Sequence, residues 1–213
     1  QPPKTHRHPD ALAQPETTNV FLITGSDEET VATETAKLVR QMAGDKPDPF
    51  LFDVVRERDG VPVAETINQV IRSVLSPPFL PGRKTVWLQN FSRFDAEGTK
   101  DVQTPEAVAL RTLAELIAKG VPADIALIMN GPGLDQRKAL VRACKARGKF
   151  MVFDRPDVHD RNWFQTMRDL VSRCAADKGV TLPEEVVCFL VEVLGTDTGR
   201  IGCELEKIIC FAG

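Results

Sequence analysis

Five short apolar runs, separated by longer mixed segments, mark the first part of the chain. Each run has large apolar residues on both of its faces, which is typical of a strand buried in a parallel sheet. The mixed segments repeat apolar residues every three or four positions, which predicts helices between the strands. The predicted strands are residues 18–25, 49–55, 84–90, 124–130 and 149–154. The pattern therefore predicts an α/β fold with a five-stranded parallel sheet wrapped by helices.

The pattern changes after the fifth strand and is helical throughout from residue 157 onward. Turn signals divide this part into three short helices, at residues 158–179, 184–195 and 198–213. We therefore predict a chain of three parts. These parts are a flexible leader (1–18), an α/β domain (19–155) and a small three-helix, lid-like domain (156–213).

Polar residues at the helix starts supply the expected caps. Ser26 with Glu29 has the spacing of a capping box for the first helix. Asp157 and Asp160 are placed to cap the first C-terminal helix, and Asp197 to cap the last. Acidic side chains at helix starts are thus explained without a catalytic role.

Composition places the chain among soluble globular proteins. Of its 213 residues, 42% are hydrophobic and 27% charged, and the net charge is −3. No apolar run reaches the roughly 18 residues of a membrane span and no secretory signal opens the chain, so we expect a cytoplasmic protein without membrane contact. The negative charge argues against binding nucleic acid by bulk electrostatics. The cysteines include no C-x-x-C pair, which favours reduced core thiols over a metal or redox site.

The turn after the first strand is where a nucleotide-binding α/β protein carries its phosphate loop. Such a loop needs closely spaced glycines, a lysine and a hydroxyl side chain. Here only Gly25 fits, and the residues that follow are acidic, namely Asp27, Glu28 and Glu29. Because carboxylates repel a triphosphate, we expect no ATP hydrolysis and assign no catalytic, nucleotide-binding, metal or cofactor site.

A proline-rich turn before the third strand holds two large apolar residues, Phe79 and Leu80. Pro77, Pro78 and Pro81 restrict φ and remove N–H donors, so the segment is stiff and cannot enter the sheet. The apolar pair either folds back onto the neighbouring helix and sheet or is presented to a partner. The residues alone leave both interpretations open.

Three stretches, in order along the chain, resemble the delta subunit of the bacterial DNA polymerase III clamp loader. They are FLITGSDEETVATETAKLV (21–39), GPGLDQRKALVRACKARGKFMVFD (131–154) and VLGTDTGRIGCELEKIICFAG (193–213). The middle stretch has the family's L-D-x-R-K order, in Leu134, Asp135, Arg137 and Lys138. The last stretch follows the family's G-x-D…EL-x-K pattern. The resemblance covers residues 20–213.

The resemblance implies an ATPase-like fold of AAA+ type that carries no nucleotide. Delta subunits bind the ring-shaped sliding clamp and open one of its interfaces with an apolar pair on the turn before the third strand. Aligned on Arg83, that pair falls at Phe79 and Leu80, with Pro78 beside it. The resemblance thus implies clamp binding by these four residues during DNA replication. It implies no catalysis by this chain itself, although the family belongs to a DNA-directed DNA polymerase (nucleotidyltransferase) holoenzyme.

The resemblance also implies partners besides the sliding clamp. These are the ATPase subunits and delta prime of the loader, and primer–template DNA within the complex only. Four basic residues of a predicted helix (134–148) either face this DNA or form a solvated basic face, namely Arg137, Lys138, Arg142 and Lys145. Family members continue into a helical collar domain that this chain lacks, so we expect the first two domains of a longer protein. Residues 92–103 receive no role.

Two other functions fit parts of the sequence. An active AAA+ or P-loop ATPase with a degenerate phosphate loop would bind ATP tightly. A nucleic-acid-binding module would use the basic helix and bind DNA on its own, with a strong salt dependence.

Overall fold

The computed structural model describes residues 18–97 and 103–212. Five strands form one sheet in which all neighbours are parallel, in the order β2-β3-β4-β1-β5. The strands are β1 (Val20–Gly25), β2 (Phe52–Arg56), β3 (Lys84–Gln89), β4 (Ile125–Pro132) and β5 (Lys149–Val152). The predicted parallel sheet is confirmed, and each strand overlaps its predicted run. The predicted leader (1–18) lies outside the described residues except for residue 18.

Seven α-helices occur in the described part of the chain. They are α1 (Glu28–Ala43), α2 (Val63–Leu75), α3 (Pro105–Lys119), α4 (Ala139–Arg147), α5 (Trp163–Asp177), α6 (Glu184–Leu194) and α7 (Thr198–Ala212). The first four cover the sheet, with α1 on one face and α2, α3 and α4 on the other. None of the helices described is both long and apolar enough to cross a membrane.

The central strand β1 supplies both faces of the sheet with core residues. Phe21 and Ile23 pack towards α1, whereas Val20 and Leu22 pack towards the other three helices. Side chains alternate along a strand, so a strand covered on both faces buries successive side chains and favours apolar residues at successive positions. This burial explains why the run reads as continuously hydrophobic rather than alternating.

The three C-terminal helices share a hydrophobic core of their own. Met167 of α5, Val191 of α6 and Leu205 of α7 are fully buried within it. A separate core supports the proposed division into an α/β domain and a small helical domain. The two parts meet where the Thr198 hydroxyl donates a 2.5 Å hydrogen bond to the buried carboxylate of Asp27 at the start of α1.

The N-cap of helix α1 lies one residue later than predicted. Asp27, not Ser26, is the N-cap, and its carboxylate accepts a hydrogen bond from the Thr30 N–H at 3.1 Å. Ser26 instead donates its N–H and its hydroxyl to the Asp154 carboxylate. Local sequence could not indicate this exchange, because residues 26 and 154 meet only once β1 and β5 have paired.

Of the predicted caps in the C-terminal helices, that of α7 is confirmed and those of α5 are wrong. Asp157 and Asp160 do not cap α5, which begins at Trp163. Each closes a local turn instead, accepting the N–H two residues later at 2.9 Å. Asp197 caps α7 as predicted, accepting from the Arg200 N–H at 3.1 Å.

The five cysteines are free thiols in different environments. Cys144 is buried, and burial raises its pKa to about 12, so this thiol is a poor nucleophile. Cys203 and Cys210 are exposed. The prediction of core thiols is therefore wrong for these two residues of α7.

Candidate functional site

The proline-rich turn, residues 76–83, joins α2 to β3 at the amino-terminal edge of the sheet. Phe79 projects from it with 86% of its surface exposed, whereas Leu80 and Pro78 are half-buried. The apolar pair is therefore asymmetric, with one side chain free of the fold and the other partly packed. At Gly82 the backbone has a φ of +136°, a conformation that favours glycine, and the chain there turns back into β3.

Arg83 is the last residue of this turn and is half-buried beside α1. Its Nη1 donates to the sulfur of Met42 at 4.0 Å. Its Nε and Nη2 are enclosed and have no hydrogen-bond partner among the residues that the structure describes. Arg83 thus lies at the base of the turn rather than on its exposed surface.

Lys84 anchors the same end of the turn to two other elements. Its ammonium group is buried and lies 2.8 Å from the Asp53 carboxylate of β2 and 2.9 Å from the Ser73 carbonyl of α2. The Ser73 hydroxyl also donates to Asp53. Burial tends to raise the pKa of Asp53, but the hydrogen bonds from Lys84 and Ser73 outweigh it, and the pKa lies below its ordinary value of 3.8. The turn is therefore held at both ends by regular structure.

Replacing Asp53 with asparagine should lower the free energy of unfolding at neutral pH by about 1–2 kcal/mol, because the buried ammonium loses its counter-charge. The expected loss of stability is modest because 41% of the Asp53 side chain is exposed, so water screens its interaction with Lys84. A carboxyl whose folded pKa is lowered stabilises the fold above its unfolded pKa and stops doing so as the pH falls through the folded value. The difference between wild type and Asp53→Asn should therefore be constant from pH 7 to about pH 4 and shrink below it.

Urea denaturation at several pH values measures this difference. Asp45→Asn is the matched control, because Asp45 pairs with Arg40 at 3.0 Å in a fully solvated ion pair. The control should change stability by less than about 0.5 kcal/mol. Equal effects of the two variants would show that the Asp53 contact contributes nothing specific.

A second exposed aromatic residue, Phe50, lies next to this turn. Its ring centroid is 6.5 Å from that of Phe79, and 67% of its surface is exposed. The apolar run at residues 49–55 predicts that Phe50 lies in the second strand, but β2 begins only at Phe52 because Asp48 closes a turn over residues 48–51. The Pro-Asp-Pro sequence at 47–49 was the available signal, since such residues favour turns.

The four predicted DNA-facing residues do not share one helix. Arg137 and Lys138 precede α4, while Arg142 and Lys145 lie on it and are exposed. The helix starts late because the buried Glu97 carboxylate accepts the N–H groups of residues 139 and 140, at 2.9 and 3.3 Å.

Two of these basic side chains are engaged within the molecule. The Arg137 guanidinium donates to both carboxylate oxygens of Asp135, at 3.0 and 2.9 Å, and holds the pKa of Asp135 at about 2. The Lys145 ammonium donates to Gln136 at 2.8 Å and lies 4.8 Å from the centroid of the Phe150 ring. Asp135 therefore offsets the charge of Arg137, whereas the partners of Lys145 are neutral and leave its positive charge in place.

At the opposite edge of the sheet, the loop after β1 is closed by the chain that follows β5. The Asp27 N–H donates to the Phe153 carbonyl at 3.0 Å, and the Ser26 N–H donates to the Asp154 carboxylate at 2.9 Å. Gly25 has a φ of +150°, and a Cβ there would lie 1.8 Å from the same Phe153 oxygen. Backbone donors that would face a phosphate in a nucleotide-binding protein are thus already used.

A cavity of about 450 Å³ lies beside this loop, at the carboxyl ends of the strands. Parallel sheets commonly bind ligands at this edge. Its lining includes two carboxylates, Glu28 and Glu29, together with Asn90, Ser92 and Asn130. Asn130 is occupied, since it accepts from Trp87 Nε1 at 2.9 Å and donates to Asn90 at 2.7 Å. The cavity is therefore acidic and has little to offer a phosphate group.

Comparison with solved structures shows the same fold in a known protein. The Bacillus subtilis DNA clamp loader delta protein (YqeN) matches with a TM-score of 0.59 and 20% sequence identity, over 92% of this chain and 54% of that one. The present chain therefore spans about half the length of that relative. A DNA polymerase III gamma subunit-related protein from Thermotoga maritima matches with a TM-score of 0.49 and 18% identity, over 91% of this chain and 55% of that one.

Comparison by sequence gives two results. No curated protein matches the chain. The family model for the DNA polymerase III delta subunit matches residues 21–153, which is more than half of the 213 residues. The match runs from the first strand to the end of the fifth and includes the proline-rich turn. The chain therefore belongs to the DNA polymerase III delta subunit family.

Proposed function

We propose that this protein binds the sliding clamp of DNA replication through the turn at residues 76–83 and opens one interface of the ring without hydrolysing ATP. The observation that supports this most is the exposure of Phe79, a large apolar side chain with 86% of its surface in solvent on a turn stiffened by prolines. An exposed aromatic on a rigid turn loses little entropy on docking. Burying such a side chain contributes roughly 1.5–3 kcal/mol.

Leu80, Pro78 and Arg83 have different parts in the proposed contact. Leu80 and Pro78 are half-buried and contribute only their outer surfaces, next to Phe79. Arg83 supports the turn and does not contact the clamp directly, because its guanidinium is largely enclosed at the base of the turn. The clamp contact thus centres on Phe79, and the other three residues shape and support it.

Opening of the ring follows from a difference in affinity. A protein that binds the open form of an interface better than the closed form shifts the equilibrium by that difference, whatever its affinity for both. A stiff wedge meets this condition because it cannot adjust to the closed interface. No chemical step by this chain is needed.

The closed loop after β1 supports the absence of nucleotide chemistry. Phe153 and Asp154 occupy the backbone donors of Asp27 and Ser26, and Glu28 and Glu29 make the adjoining cavity acidic. A triphosphate placed there would have to displace the chain after β5 and approach two carboxylates. ATP-binding partner subunits, delta prime and primer–template DNA would complete the assembly. The basic residues Arg142 and Lys145 are the best placed to approach that DNA.

Titration of the chain with the sliding clamp of the same organism tests the proposed function. We expect saturable binding, and we expect tighter binding to a clamp variant with one interface broken by substitution, because the work of opening is then already done. A parallel titration with ATP and Mg²⁺ should show no binding. Tight ATP binding, or no binding to either form of the clamp, would overturn the proposal.

A further inference from the structure

We propose that Phe50 is a second anchor for the sliding clamp, so that the docking surface consists of two turns rather than one. This inference rests on the proposed function. The two turns are residues 48–51 before β2 and residues 76–83 before β3. They lie side by side because β2 and β3 are paired neighbours whose amino-terminal ends are in register, Phe52 with Thr85.

The two aromatic rings form one continuous apolar surface. Their centroids are 6.5 Å apart at an interplanar angle of 38°, within the range of direct aromatic contact. Most of each residue remains in solvent despite this contact. Leu75, which ends α2 directly before the proline-rich turn, is also exposed. Single exposed apolar residues are ordinary on protein surfaces, whereas a contiguous exposed apolar patch marks an interaction site.

The turn that carries Phe50 is fixed as firmly as the one that carries Phe79. The Asp48 side chain accepts the Phe50 N–H at 2.9 Å, and the Asp48 carbonyl accepts the Leu51 N–H at 2.9 Å. The Leu51 carbonyl in turn accepts the Thr85 N–H at 2.8 Å, which joins this turn to β3. The ring of Phe50 is therefore presented by an ordered backbone and loses little entropy when it is buried.

The partner that binds Phe50 can be inferred from the contact between Phe50 and Phe79. A partner that buries Phe79 must approach within one ring's width of Phe50, because the rings are in contact. Such a partner either buries Phe50 as well or leaves it against water at the rim. Hot-spot residues cluster near the centre of an interface, and a large aromatic ring in contact with an anchor is placed to belong to such a cluster. The sliding clamp is thus the ligand of both.

Four proteins test the inference by equilibrium binding to the sliding clamp: wild type, Phe50→Ala, Phe79→Ala and the double variant. Phe50→Ala should weaken binding about tenfold by itself and at least several-fold in the Phe79→Ala background. Phe189→Ala is the control, because Phe189 on α6 is similarly exposed, at 62%, and lies in the C-terminal helices. Its affinity should equal that of wild type. Thermal melts of all the variants should coincide, since neither ring is buried in the fold.

The outcomes separate the two proposals. If Phe79→Ala weakens binding and Phe50→Ala does not, the inference about Phe50 is wrong and the proposed function stands. If Phe50→Ala acts only while Phe79 is present, Phe50 positions the other ring and is not an anchor. If neither variant changes the affinity, or if the clamp is not bound at all, both proposals fail.

Discussion

Replacing Phe79 and Leu80 together with alanine should weaken binding to the sliding clamp about 100-fold. Phe79 accounts for most of the loss because its ring is almost wholly available to a partner. Leu80 adds less, since part of its side chain is already packed within the protein. Surface plasmon resonance with immobilised clamp measures the change.

Phe211→Ala provides the control for the double variant. Phe211, near the end of α7, is 92% exposed, so its removal deletes about as much apolar surface as the loss of Phe79 does, from a different part of the molecule. Clamp affinity should not change in this variant. A double variant that folds normally and binds as tightly as wild type would end the assignment of the turn as the wedge.

Replacing Gly25 with alanine should lower the free energy of unfolding by about 3–5 kcal/mol, which is near the upper limit for a single substitution. A Cβ at residue 25 would lie 1.8 Å from the Phe153 carbonyl oxygen and 2.8 Å from the Phe153 nitrogen. The φ of +150° adds strain for any residue but glycine. The chain after β5 would have to move away, and the Asp27 and Ser26 N–H groups would lose their acceptors.

Chemical denaturation followed by circular dichroism measures the loss. Gly202→Ala is the matched control, because Gly202 lies within α7 and a Cβ there meets nothing within 4 Å. Alanine at that position should leave stability unchanged or raise it by up to about 1 kcal/mol. If Gly25→Ala were as stable as Gly202→Ala, Gly25 could not be packed closely against Phe153 in the chain after β5.

The features that the sequence predicts well are those that neighbouring residues determine. Residues 20–23 of strand β1 are all apolar because helices cover both faces of the sheet, and this leaves a pattern that can be read directly. The lack of a phosphate loop is likewise visible from the acidic residues after Gly25. Phe79 could be selected as a candidate because the prolines around it exclude a strand.

The features that the sequence does not predict depend on residues far apart in the chain. Glu97 replaces a local cap of α4 from 42 positions away, so the helix starts later than its own residues indicate. The pairing of Lys84 with Asp53 appears only when β2 and β3 lie side by side. The sequence predicts a strand at Phe50 because the apolar residues that follow it outweigh the turn signal at residues 47–49.

The contacts of Lys84 bear on how the molecule responds to a force that acts on the neighbouring turn. Lys84 directly follows the turn and ties β3 to the edge strand β2 and to the last turn of α2. If the turn binds the sliding clamp as we propose, Lys84 connects the point of attachment directly to β2 and α2. A rigid attachment of this kind would make docking on the clamp and deformation of its interface a single step.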